Sequence, residues 1–74
     1  MKNFDELLCK ELARYIALKG MSNITFSQLY KCSPNYVSQM RTGVKKVNVN
    51  KFAAICLNAG DQFIIDFTKD SIQF

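Results

Sequence analysis

Asn35, Ser38 and Gln39 stand close together in the stretch Pro34-Asn35-Tyr36-Val37-Ser38-Gln39-Met40-Arg41, and their side chains are uncharged hydrogen-bonding groups. A carboxamide donates and accepts at once, so Asn or Gln can pair bidentately with adenine N6 and N7, each such pair being worth about 1–3 kcal/mol of discrimination. Pro34 and Tyr36 flank them, placed to meet a thymine methyl or the sugar-phosphate chain. The competing reading is an ordinary solvated helix face. Catalysis has little to work with. There is no histidine to serve as a neutral-pH base or as the usual nitrogen ligand of zinc, and there is no glycine-rich phosphate loop. A serine or cysteine nucleophile would lack an evident activating partner. Cys9, Cys32 and Cys56 are odd in number and show no CxxC spacing, so neither a disulfide framework nor a metal site is expected. Cys32 and Cys56 read as small buried fillers. No enzyme, cofactor, metal or small-molecule substrate is implied.

Something must hold the three polar groups on one side. Ser33 as N-cap, Pro34 at the first helical position and Gly43 beyond the end mark a short helix, with Val37 and Met40 turned inward. Ser22 caps another helix beginning at Asn23, in which Phe26 and Tyr30 form an inward i, i+4 pair. The two are separated by a turn too tight to be a loop. An earlier helix starts near Phe4, where Asn3 with Glu6 resembles a capping box. Its apolar stripe is Phe4, Leu7, Leu8, Leu12, Tyr15 and Ile16, with Lys10, Glu11 and Arg14 expected outside and Gly20 as the stop. Tyr15 on that stripe reads as packing rather than as a ligand platform. After the basic loop Val44-Lys45-Lys46-Val47, Asn48 caps a fourth helix from about Val49 to Ala59, whose apolar set ends at Gly60. The tail, residues 61–74, changes character: Phe63, Ile65 and Phe67 alternate with Ile64, Asp66 and Thr68, and Lys69-Asp70 can turn the chain back into Ser71–Phe74. A strand or small hairpin is expected there, with a fifth helix as the alternative.

Met21-Ser22-Asn23-Ile24-Thr25-Phe26-Ser27, Tyr30-Lys31-Cys32-Ser33, Val37-Ser38 and Gly43, followed by Val49, Phe52, Ala53, Ile55, Cys56 and Gly60, resemble the phage repressor and Cro-like helix-turn-helix family over roughly residues 4–60. The resemblance implies a mostly α, four-helix domain with the helix-turn-helix at 22–43. It further implies base readout by Pro34, Asn35, Ser38 and Gln39, and backbone contacts by Asn23, Lys31, Tyr36, Arg41, Thr42, Lys45 and Lys46. Two residues depart from the pattern. Lys31 stands where the family usually has a turn glycine, so it must accept a left-handed backbone or the turn must differ. Asn23 stands where a DNA-touching glutamine is frequent.

Charge agrees with such a partner. From Leu12 to Gly60 there is no acidic residue, while seven basic ones contribute +7; the first eleven residues sum to −1 and the last fourteen to −2. Acids excluded from forty-nine consecutive residues argue for a polyanion facing the middle of the chain. At 74 residues the chain is one domain with a marginal core. It has no stretch approaching the ~18 apolar residues of a membrane span, and its start, with Asp5 and Glu6 close behind Lys2, does not read as a signal peptide. The expectation is a cytoplasmic protein of a bacterial cell or phage-infected host. It would be a sequence-specific regulator of double-stranded DNA, a repressor at a palindromic operator, and a homodimer through its tail. The alternative is a protein-interaction module on the same scaffold, such as an antitoxin or an inhibitor of a host nuclease.

Overall fold

In the computed structural model, which describes residues 3–74, the chain forms four helices and a two-stranded hairpin: α1 (Phe4–Leu18), α2 (Asn23–Tyr30), α3 (Pro34–Arg41), α4 (Val49–Asn58), β1 (Ile64–Asp66) and β2 (Ser71–Gln73). Lys2, part of the N-terminal charge count, lies outside the described residues. The fifth-helix alternative for the tail is not realised. β1 and β2 pair antiparallel, with Ile65 opposite Ile72, across a turn over residues 67–70. Asp66 holds that turn by accepting from the Thr68 and Lys69 backbone N–H groups and the Thr68 hydroxyl, which keeps its carboxyl below the usual range.

Each helix start carries the cap its sequence implies. Ser22, Ser33 and Asn48 accept from the backbone N–H three residues on, at 3.1 Å in each case. Asn3 departs from a capping box, since its Oδ1 takes the N–H of Asp5 rather than that of Glu6. The helix ends share one device, in which the chain passes through a left-handed residue and the next N–H reaches back to close the last turn. Gly43 does this for α3, with Val44 N–H on the Gln39 carbonyl at 2.8 Å. Lys31 does it for α2, with φ at 64° and Cys32 N–H on the Ser27 carbonyl at 3.0 Å. A lysine in that conformation costs about 1–2 kcal/mol against a glycine. The turn therefore keeps its geometry and bears the strain.

The core is built from the stripes of all four helices. Leu8, Leu12, Tyr15, Ile16, Phe26, Val37, Met40, Phe52 and Cys56 are essentially fully buried. Val47, in the basic loop, is buried with them. Ile72 of β2 closes the core from the tail, and Phe63 and Phe74 join Tyr15 and Phe52 in an aromatic cluster with centroid separations of 4.8–6.5 Å. Tyr15 is thus a packing residue; its hydroxyl donates to Asp61 at 2.7 Å, while Lys19 pairs with the same carboxylate at 2.9 Å. Burial and that bond push the Tyr15 hydroxyl well above the ordinary tyrosine range.

Glu11 corrects the expectation that it faces outward. Its side chain is 1% exposed, held by Arg14 at 2.6 Å and accepting the Ile72 backbone N–H at 2.5 Å. Arg14 in turn donates to the Ile72 carbonyl. Two side chains of α1 thus satisfy the outer edge of β2 as a neighbouring strand would. Phe67 is a second correction: it falls in the turn, 54% exposed, beside Phe4 rather than in line with Phe63 and Ile65.

Candidate nucleic-acid interface

α2 and α3 pack against each other across the turn Lys31-Cys32-Ser33, and they are tied to their surroundings at both ends. At the far end of α3, Arg41 Nη1 donates to Asn23 Oδ1 at 2.7 Å, joining the last residue of α3 to the first of α2. At the other end of α2 the Tyr30 hydroxyl accepts the Asn48 backbone N–H at 2.9 Å, fixing the start of α4. Val37 and Met40 anchor α3 in the core. The helix therefore presents its opposite side in one orientation.

On that side Pro34, Asn35 and Ser38 are exposed. Gln39 is only half-buried rather than fully solvated, and its carbonyl is used by Val44, Lys45 and the Thr42 hydroxyl. The Thr42 hydroxyl proton is thus engaged within the end of its own helix, against the carbonyls of Ser38 and Gln39. Tyr36 is half-buried at the start of α3, and Lys31 is exposed in the turn. Arg41 keeps further guanidinium donors beyond the one given to Asn23, beside the first-turn amides of α2. Asn23 at the start of α2 and Arg41 at the end of α3 are therefore joined, a link that sequence spacing alone did not indicate.

Lys45 and Lys46 lie exposed just past the end of α3. Their loop runs along the start of α1: the Lys45 carbonyl lies 3.6 Å from the Cys9 thiol, and Lys46 Nζ lies 3.8 Å from Asp5. The acid-free run in the sequence is therefore bordered in space by an acid from the N-terminal segment. With Lys46 85% exposed and Asp5 46%, that contact is loose enough to be exchanged for a phosphate at little cost.

The cysteines are unpaired. Cys9 and Cys56 are buried, and burial raises the Cys56 thiol to about 11. Cys32 is half-buried rather than a core filler. Among the described residues no group of three or more His, Cys, Asp or Glu side chains is arranged to hold a metal ion, and no helix is long and apolar enough to cross a membrane. No protein-family model, curated protein or solved structure matches the chain.

Proposed function

We propose that the chain is a helix-turn-helix protein that binds double-stranded DNA sequence-specifically, as a small transcriptional regulator, with α3 as the reading helix. The observation that carries this reading is the two-sidedness of α3. Val37 and Met40 are fully buried, while Asn35 and Ser38 are exposed on the other side of a helix whose last residue, Arg41, is tied to Asn23 and which is followed by the exposed Lys45 and Lys46. Uncharged readers on the same helix as cationic positioning groups are what base recognition requires. The resemblance to phage repressors and Cro-like proteins favours a repressor on a palindromic operator, a homodimer, and a home in a bacterial cell or phage-infected host.

The direct test is selection of binding sites from random duplexes. Asn35→Ala is then expected to relax the preference at one base pair per half-site by about 1–3 kcal/mol while leaving the salt dependence unchanged. If the variant ranks every operator substitution as the parent does, α3 is not the reader.

Lys45 and Lys46 make a second expectation, because each phosphate contact removed lowers the log–log salt slope by about 0.9. The double variant K45A/K46A is expected to weaken specific and non-specific duplexes alike and to flatten that slope by up to about 1.8. An unchanged slope would show both lysines facing solvent.

An observation favouring the interaction-module reading is the exposure of Leu18, Ile24, Leu29 and Leu57, between 49% and 63% each. Weak, footprint-free DNA binding together with stoichiometric capture of a protein partner would decide for it.

A further inference from the structure

We propose that the open cleft between the α2–α3 turn, the start of α3 and the first turn of α4 is a binding site for an organic phosphate ester. The cleft has a volume of about 460 Å³, within the roughly 300–1,000 Å³ of small-molecule sites. Tyr30, Tyr36, Val47 and Cys32 line it, and Lys46 and Lys51 line it from different elements, the Lys46 ammonium lying 3.8 Å from Asp5 in an exposed contact that a phosphate can replace. No carboxylate lines it. Lys51 Nζ sits 4.8 Å above the Tyr30 ring, which holds that charge at the wall. α4 opens beside it without an acidic residue in its first turn. Asn48 takes one of the orphan amides, leaving the positive end of the helix otherwise uncompensated.

Two lysines and a helix start fit a phosphate. The half-buried Tyr36 in the same lining suits the planar group to which a phosphate is esterified. That chemistry comes from two sources, a free nucleotide or one nucleotide unit of a DNA strand lying along α3. Only the second source rests on the DNA-binding reading.

The half-buried Cys32 reports occupancy. The full-length protein is alkylated with iodoacetamide, the fast-reacting thiol being identified by its loss in Cys32→Ser. Adenosine monophosphate, inorganic phosphate, adenosine and an operator duplex are the added probes. Adenosine monophosphate is expected to slow Cys32 alkylation at least tenfold at saturation, inorganic phosphate to do so only at higher concentration, and adenosine to have no effect. In K46A/K51A the concentration of adenosine monophosphate giving half-protection should rise more than tenfold, with an unchanged thermal midpoint showing that the fold is intact. Equal protection by adenosine, no protection by any phosphate, or protection unaltered in the double variant would each overturn the site. Protection by adenosine monophosphate in a protein that binds no duplex removes the DNA reading and leaves the cleft standing. Operator binding without protection by the nucleotide or the duplex overturns the cleft and leaves the DNA reading intact.

Discussion

Replacing Glu11 by alanine is expected to lower the stability of the fold by about 3 kcal/mol, the low end of the range for breaking a buried ion pair, because Arg14 is 45% exposed and keeps some solvation. The loss has two parts: the Ile72 N–H is left without an acceptor inside the protein, and Arg14 loses the carboxylate that aims it at the Ile72 carbonyl. A domain of this length is typically stable by about 4–11 kcal/mol, so the change would use up a large part of the margin. Urea unfolding followed by circular dichroism at pH 7 measures it; a cost below about 1 kcal/mol would show that the pair does not hold β2.

The same residue gives the fold an acid limit. Burial opposes ionisation of Glu11, but the Arg14 hydrogen bond, the Ile72 amide and the Arg14 and Lys10 charges outweigh it and hold the carboxyl below its usual range. A carboxyl with a depressed folded-state pKa contributes stability that is fully present above the ordinary glutamate value of about 4.3. That contribution is lost as pH falls through the folded value. Glu11→Gln keeps an acceptor for Ile72 and should be less damaging than alanine at pH 7, with a shallower fall in stability as pH drops below the ordinary glutamate value.

Glu11 also shows where the sequence was legible and where it was not. Leu7, Leu8 and Tyr15 lie four, three and four residues from Glu11, so its position belongs to the apolar stripe of α1. Chemical type argued against position, and position won because a strand from the far end of the chain supplied the N–H that a buried carboxylate needs. Nothing local to α1 announces that partner. Helix starts and stops were readable because their causes are local: Ser22, Ser33 and Asn48 satisfy amides within their own first turn, and the stops are closed within one turn. Lys31 was readable as a tension between a needed left-handed residue and a side chain, and the structure resolves it in favour of the turn. The outward set of α3 followed from its inward set, except that Gln39 sits closer to the loop it helps to hold. The Asn23–Arg41 link and the nearness of Asp5 to Lys46 depend on how helices pack, which the one-dimensional pattern does not carry.

Substituting lysine for both Ile64 and Phe67 is expected to convert the proposed dimer to a monomer and to reduce affinity for a palindromic operator by about 10²–10³-fold, the avidity that linking two half-site contacts provides. The argument begins at Ile72. Its N–H and C=O turn away from β1 to meet Glu11 and Arg14, so Ile65, its partner across the ladder, turns its own N–H and C=O to the outer edge of β1. One edge of the hairpin is therefore covered by α1, while the other offers main-chain groups flanked by Ile64 and Phe67, 49% and 54% exposed. A three-residue edge forms few hydrogen bonds, so apolar contact must supply most of any association. A symmetry mate pairing antiparallel at this edge would give an isologous two-fold contact, the symmetry of a palindromic site whose half-sites lie about 34 Å apart. The competing reading is that the tail closes only its own core. Deleting the tail cannot separate the two, because Ile72, Phe63 and Phe74 complete that core and the truncated chain should unfold. The two exposed side chains can be changed without touching it. Sedimentation of both proteins, with titrations of full and half operators, makes the comparison. A wild-type chain that sediments as a monomer well above its operator Kd and binds the palindrome no better than a half-site would rule out the dimer.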